Sequence, residues 1–118
     1  MRIYLMEGSP MLDIKKGDVL FVDFGEQEGS VQKGKRYAIV VSNNVGNKYS
    51  TTIMVVPTTT KKKANLPTHF NTRIERDSTI LCENIMTISK DQVIRKYNTL
   101  SNDDIKKLNH CLKIAMTL

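Results

Sequence analysis

The 118-residue chain predicts a mainly β domain with one C-terminal helix, its strands curled into a small barrel, and three features point that way. Short β-forming runs recur between Gly, Pro and Asn turn signals. The first strong run, Val19 to Phe24, is apolar on both faces, as a strand inside a barrel or between layers is. Helical periodicity occurs convincingly only at the end. The length suits one domain with little surplus for a second core, so residues 12–118 are read as a single unit. Residues 1–11, with Gly8-Ser9-Pro10 and a second methionine at Met11, read as an arm or surplus start.

Each element has its own signals. The turn Lys16-Gly17-Asp18 leads into the strand Val19–Phe24, with Val19, Phe21 and Asp23 on one face and Leu20, Val22 and Phe24 on the other. A glycine-punctuated basic loop follows and feeds the apolar run from Arg36 to Ser42, which reads as a buried strand with Arg36 at its mouth. Asn43 to Ser50 is turn chemistry joining two antiparallel neighbours. Thr51 to Val56 is the next strand, and Pro57 is expected to stop it. A shorter strand ends near Ile74, Glu75-Arg76-Asp77 makes a polar turn, and Ser78 to Ile85 alternates as another strand. Ser89 to Gln92 reads as a capped turn and Val93 to Leu100 as a last strand or extended segment. Ser101 followed by Asp104 marks a helix start. Ile105, Leu108, Leu112 and Ala115 recur at helical spacing opposite Lys106, Lys107, Asn109 and Lys113, and Cys111 and Met116 are assigned to core packing.

Charge carries the strongest functional signal. Lys plus Arg number 18 against 12 for Asp plus Glu, and no acidic residue falls between Glu28 and Glu75. That interval holds Lys33, Lys35, Arg36, Lys48, Lys61, Lys62, Lys63 and Arg73. Such a block favours a polyanion, because each phosphate contacted releases condensed counterions. Lipid headgroups fit less well, since no amphipathic basic helix lies in the block. Within it, the loop Gly29 to Arg36 has glycines that let the backbone approach an anion, and Ser30, Gln32, Lys33 and Lys35 offer donors. Thr58, Thr59 and Thr60 then place three hydroxyls before Lys61, Lys62 and Lys63.

Other classes are disfavoured. Cys82 and Cys111 have no CxxC spacing and the chain has only two His, so no zinc set or other metal site is expected and the thiols read as isolated and reduced. No apolar run approaches the roughly 20 residues of a membrane span, and the N-terminus lacks the order of a secretion signal. A cytoplasmic protein without a membrane partner or cofactor is expected.

The order GD-V-x-F-x-D-F, G-S, K-R-Y-A-I-V-V-S-N-N, G-N-K-Y-S, V-P-T-T, L-P-T-H and D-S-x-I-L-x-E-N-I-x-T-I resembles the MazF/PemK toxin family from roughly Asp13 to the C-terminus. The resemblance implies a small SH3-like barrel of the CcdB/PemK fold, a homodimer, and a type II toxin that cuts single-stranded mRNA sequence-specifically without a metal. It also implies neutralisation by a cognate acidic antitoxin with a disordered tail. By the same resemblance the catalytic arginine is Arg36 and the catalytic threonine Thr59, with Thr58 and Thr60 as neighbouring registers. Gly29 and Ser30 match the loop that closes over RNA, and the RNA-binding set extends to Gln32, Lys33, Lys35, Thr58, Thr60, Lys61, Lys62, Lys63, Glu83 and Asn84. Two departures bear on base preference: Tyr37 stands where proline is usual after the arginine, and Asn84 where glutamine is usual.

The chemistry is consistent with that set. Metal-free RNA cleavage needs the ribose 2′-OH to lose a proton and attack phosphorus while the phosphorane charge is stabilised. Arg36 can clamp non-bridging oxygens bidentately and a threonine hydroxyl can donate to an oxyanion. Arginine's high pKa makes it a poor base, so electrostatic stabilisation is its role here. His69 could join the acid/base work, yet a lone His beside Pro67 and Phe70 is more often structural. The alternatives are a same-fold gyrase poison and a non-catalytic nucleic-acid-binding barrel, the latter expected to display exposed aromatic rings.

Overall fold

A computed structural model of the chain describes residues 13–26 and 33–118. The arm at 1–11 and the loop residues Gly29, Ser30 and Gln32 lie outside them. Among the described residues there are seven strands: β1 Asp18–Asp23, β2 Lys35–Val40, β3 Thr52–Thr59, β4 His69–Ile74, β5 Arg76–Leu81, β6 Met86–Ser89 and β7 Val93–Thr99. The helices of the described residues are α1 Asn44–Tyr49 and α2 Asn102–Met116, with a 3-10 turn at Lys90–Gln92. All strand pairs are antiparallel, in the order β4-β5-β3-β2-β1-β7, with β6 also on β3.

The double-sided apolar pattern of β1 is met by two cores. Leu20, Val22 and Phe24 pack with Ala38, Val40, Ile53, Val55 and Ile88 inside the curl of β1, β2, β3 and β6. Val19, Ile39 and Val56 face the other way, onto Phe70, Ile74 and Ile80 of the β4–β5 hairpin and Leu108 and Cys111 of α2. Burying both faces of the central strands fixes their register, since a one-residue slip would exchange the two cores.

Four expectations change. Asn43 to Ser50 forms a helical turn rather than a simple turn: the Asn43 side chain accepts the Gly46 N–H at 2.8 Å and caps α1. Pro57 does not end its strand. It pairs with Ala38 of β2 and lies where the opposite partner of β3 changes from β6, last paired at Val55, to β5, first paired at Thr58. A residue without an N–H is tolerated where the ladder is interrupted. The strand expected over Ser78–Ile85 is β5, already begun at Arg76, followed by a turn at Cys82 and Glu83 and then β6. Met116 is 54% exposed and contributes nothing to the core.

The remaining elements follow their signals. Ser89 forms a capping box with Gln92. Ser101 caps α2 by accepting the Asp104 N–H at 3.2 Å, while the Asp104 carboxylate accepts from Thr72 of β4 and so docks the helix. Leu108 and Cys111 are buried on its inner face. Cys82 and Cys111, distant in sequence, lie in the same core, where Cys111 donates its thiol to the His69 carbonyl at 3.6 Å and burial pushes the Cys82 thiol up to about 12.

Candidate functional site

Arg36 is the second residue of β2, paired with Val22 of β1 and partly buried. Just before it, Gly25 and Gly34 both take positive φ, 78° and 71°, and close the base of the loop between them. Gly34 N–H donates to Gly25 O at 2.7 Å, and Phe24 N–H donates to Gly34 O at 2.8 Å. The Arg36 Nε donates to Lys33 O at 3.1 Å, which aims the head group. Among the described residues its terminal nitrogens have no hydrogen-bond or ion-pair partner, so the planar fork remains available for an oxyanion.

A cavity of about 340 Å³ opens beside it. Lys35, Arg36 and Tyr37 of β2 form one wall, Thr58, Thr59, Thr60 and Lys61 at the end of β3 another, and Ile74, Glu75, Arg76 and Ser78 of the β4–β5 hairpin the third. Phe21 of β1 completes the lining. Thr58 donates its hydroxyl to the Tyr37 carbonyl at 3.1 Å. Thr59 instead accepts the Lys61 N–H at 3.1 Å, and among the described residues its hydroxyl hydrogen has no acceptor, so it can donate. Arg36, Lys35, Thr58, Thr59, Thr60 and Lys61 are thus brought together from two separate segments.

Other candidates lie elsewhere. Lys33, Lys62 and Lys63 are exposed and do not line the cavity. Glu83 and Asn84 follow β5 at its far end, also outside the lining. Glu83 accepts from Thr68 Oγ1 at 3.0 Å and pairs with His69 Nε2 at 2.9 Å. Burial alone would raise the Glu83 carboxyl, but these bonds outweigh it and hold it below its ordinary value. His69 also meets the Ala64 carbonyl through Nδ1 at 3.1 Å, and its side chain is buried. Both ring nitrogens are thus held by partners apart from the cavity.

Sequence reasoning passed over Phe21, Ile74, Glu75, Arg76 and Ser78 and weighed Tyr37 only for base preference. Two signals were present: Tyr37 directly follows Arg36, and Glu75 is the acid that ends the acid-free block. The Tyr37 hydroxyl donates to Glu75 Oε1 at 2.7 Å and accepts from Arg95 Nη2 at 3.3 Å. Loss of solvent around that hydroxyl raises the Tyr37 pKa, the Glu75 bond adds to the rise, and Arg95 opposes it. The Arg95 guanidinium lies 5.1 Å from the Phe21 ring centre and also faces Tyr37 and Tyr97. Phe21, Tyr37 and Tyr97 form one row of rings, with Tyr97 exposed at its end. Among the described residues, no three His, Cys, Asp or Glu side chains are grouped to hold a metal ion, and no helix is long and apolar enough to cross a membrane.

Comparisons agree with the architecture. The family model of a PemK-like, MazF-like toxin of type II toxin-antitoxin system matches residues 15–116. Endoribonuclease EndoA of Bacillus subtilis (strain 168) is 38% identical over 111 residues, covering 89% of this chain and 96% of its own length. Endoribonuclease MazF of Staphylococcus saprophyticus is 34% identical over 111 residues, with 89% and 92% covered. Among solved structures, an endoribonuclease from a mycobacterial species, in complex with its cognate antitoxin, has a TM-score of 0.77 at 23% identity over 89% of this chain and 96% of that one. MazF from Deinococcus radiodurans gives 0.78 at 16% identity over 92% and 100%. At such identities these two structures speak to the fold, which they share.

Proposed function

This chain belongs to the PemK-like, MazF-like toxin family of type II toxin-antitoxin systems, and we propose that it is a metal-independent endoribonuclease that cuts single-stranded mRNA in the cytoplasm at a preferred sequence. The observation that carries this reading is the basic cavity in which a guanidinium fork, without a partner for its terminal nitrogens among the described residues, shares one space with a threonine hydroxyl. Lys35, Lys61 and Arg76 supply charge along the same walls and suit an RNA backbone. The 2′-oxygen attacks the adjacent phosphorus, Arg36 clamps the non-bridging oxygens as charge builds on the phosphorane, and Thr59 donates a hydrogen bond to an oxyanion. Gly29, Ser30 and Gln32, which lie outside the described residues, belong to this reading as further RNA contacts, as do Lys33, Lys62, Lys63, Glu83 and Asn84 outside the cavity lining.

The net charge of +6 supports a cognate antitoxin whose acidic, partly disordered segment covers the basic face, and the reading includes a homodimer. Only monomer in light scattering, or an adjacent antitoxin that fails to block cleavage, would count against this part.

The enzymatic reading is tested by separating rate from affinity. Arg36→Ala should lose roughly 100-fold or more in cleavage with little loss of RNA affinity, because a contact made chiefly in the transition state lowers the rate more than binding. Arg36→Lys should also be poor, since the bidentate fork is lost. Lys62→Ala should mainly weaken binding and reduce the salt slope by about one. Equal losses of rate in Arg36→Ala and Lys62→Ala would favour a binding barrel that does not cut.

A further inference from the structure

The 2′-OH mechanism needs a group that accepts a proton, and most of the cavity cannot. Lys35, Arg36, Lys61 and Arg76 carry donors only in their charged forms, and the hydroxyls of Thr58, Thr59, Thr60 and Ser78 are weak bases. His69 is turned to Glu83 and Ala64, away from the lining. Among the described residues, Glu75 is the one carboxylate in the cavity wall. We propose that Glu75 is the general base of this site and takes the proton from the attacking ribose 2′-hydroxyl. The inference rests on the RNA-cleavage reading above and adds a catalytic residue to it.

Three observations support the assignment. Glu75 occupies the tip of the β4–β5 hairpin at φ 59°, between paired Ile74 and Arg76. A residue with a side chain is uncommon in that left-handed region, and such outliers gather at functional sites. Its carboxylate is held from outside: Oε1 accepts from Tyr37, whose hydroxyl is in turn held by Arg95 on β7. Among the described residues Oε2 has no partner, so one oxygen is anchored and the other is left for substrate. Tyr37 and Arg95 act as positioning residues. The charged and titratable groups around the carboxylate are Lys35, Arg36 and Tyr37 on β2, Lys61 after β3, Arg76 on β5 and Arg95 on β7.

The step balances without a co-reactant. The 2′-O–H bond breaks as its proton passes to Glu75, the 2′-oxygen bonds to phosphorus, and the P–O5′ bond breaks. The departing 5′-oxygen takes a proton from water, and Glu75 returns its own to solvent. The products are a 2′,3′-cyclic phosphate and a 5′-hydroxyl, with no net proton change.

The test uses the full chain, a single-stranded RNA cut by the wild type in EDTA, and the same RNA with a 2′-deoxy nucleotide at the cut position as an uncleavable ligand. Glu75→Gln keeps an acceptor for Tyr37 but loses basicity. It should cleave about 100-fold more slowly or worse while binding the 2′-deoxy RNA within about twofold of wild type. Glu75→Ala should be equally slow and should regain rate with added formate in proportion to its concentration, a rescue that wild type does not show. Cleavage by Glu75→Gln within threefold of wild type would overturn the assignment, as would a slow Glu75→Ala that formate leaves unchanged. A wild type that cuts no RNA in EDTA would instead overturn the cleavage reading itself, which keeps the two failures distinct.

Discussion

Thr58 and Thr59 are adjacent and chemically identical, yet the strand gives them different tasks. Successive side chains on a strand point to opposite faces. The β2–β3 pairs end at Ala38 with Pro57, and Thr58 and Thr59 go on to pair with Ile80 and Thr79 of β5, so the two hydroxyls alternate in face at the cavity wall that stands opposite Arg36. Thr58 spends its hydroxyl hydrogen on the Tyr37 carbonyl, whereas Thr59 keeps its own. Thr59→Ala should therefore lose cleavage nearly as severely as Arg36→Ala, roughly 100-fold, while Thr58→Ala and Thr60→Ala stay within a few-fold of wild type in single-turnover assays. An active Thr59→Ala beside a dead Thr58→Ala would move the role by one residue. The place of Arg36 at the mouth of β2 was legible in the sequence because a glycine-lysine loop running into an apolar strand is a local pattern. Glu75 was not, because its contact with Tyr37 spans 38 positions and depends on how the β4–β5 hairpin folds back across β2.

Among the elements, local signals were read best where the chain answers only to itself. The caps at Ser89 and Ser101 and the apolar stripe of α2 are examples. They were read worst where a distant partner decides. Pro57 was expected to end its strand, and only the exchange of β6 for β5 explains why it does not. Ser78 to Ile85 alternates smoothly, yet Cys82 leaves the strand to meet Cys111 and the α2 side of the core. Gly17 shows the same dependence with a measurable consequence. It sits at φ 91° before β1, donates to Val40 O and accepts from Leu100 N–H, and a Cβ there would lie 2.2 Å from Ile105 Cδ1 of α2. Gly17→Ala should cost roughly 1–3 kcal/mol from the left-handed backbone together with the displaced isoleucine. Thermal unfolding by circular dichroism should then show a Tm lower by about 5 °C or more. An unchanged Tm would mean that the β1 turn relaxes freely away from the helix.

Taken together, the fold separates stability from chemistry. Two apolar cores hold β1, β2 and β3 from both faces, and the charged residues gather where β2, β3 and the β4–β5 hairpin converge. A rigid sheet presenting donors in fixed positions is what electrostatic stabilisation of a phosphorane requires, because the donors need not reorganise as charge develops. The decisive measurement is to incubate the purified protein with a long single-stranded RNA in excess EDTA and determine the chemistry of every new end. Cleavage at a recurring short sequence, leaving a 2′,3′-cyclic phosphate or its opened 3′-phosphate and a 5′-hydroxyl, is the predicted result. Activity that disappears with EDTA, ends that carry a 5′-phosphate, or equal cutting of a DNA copy, which lacks the attacking 2′-hydroxyl, would contradict it.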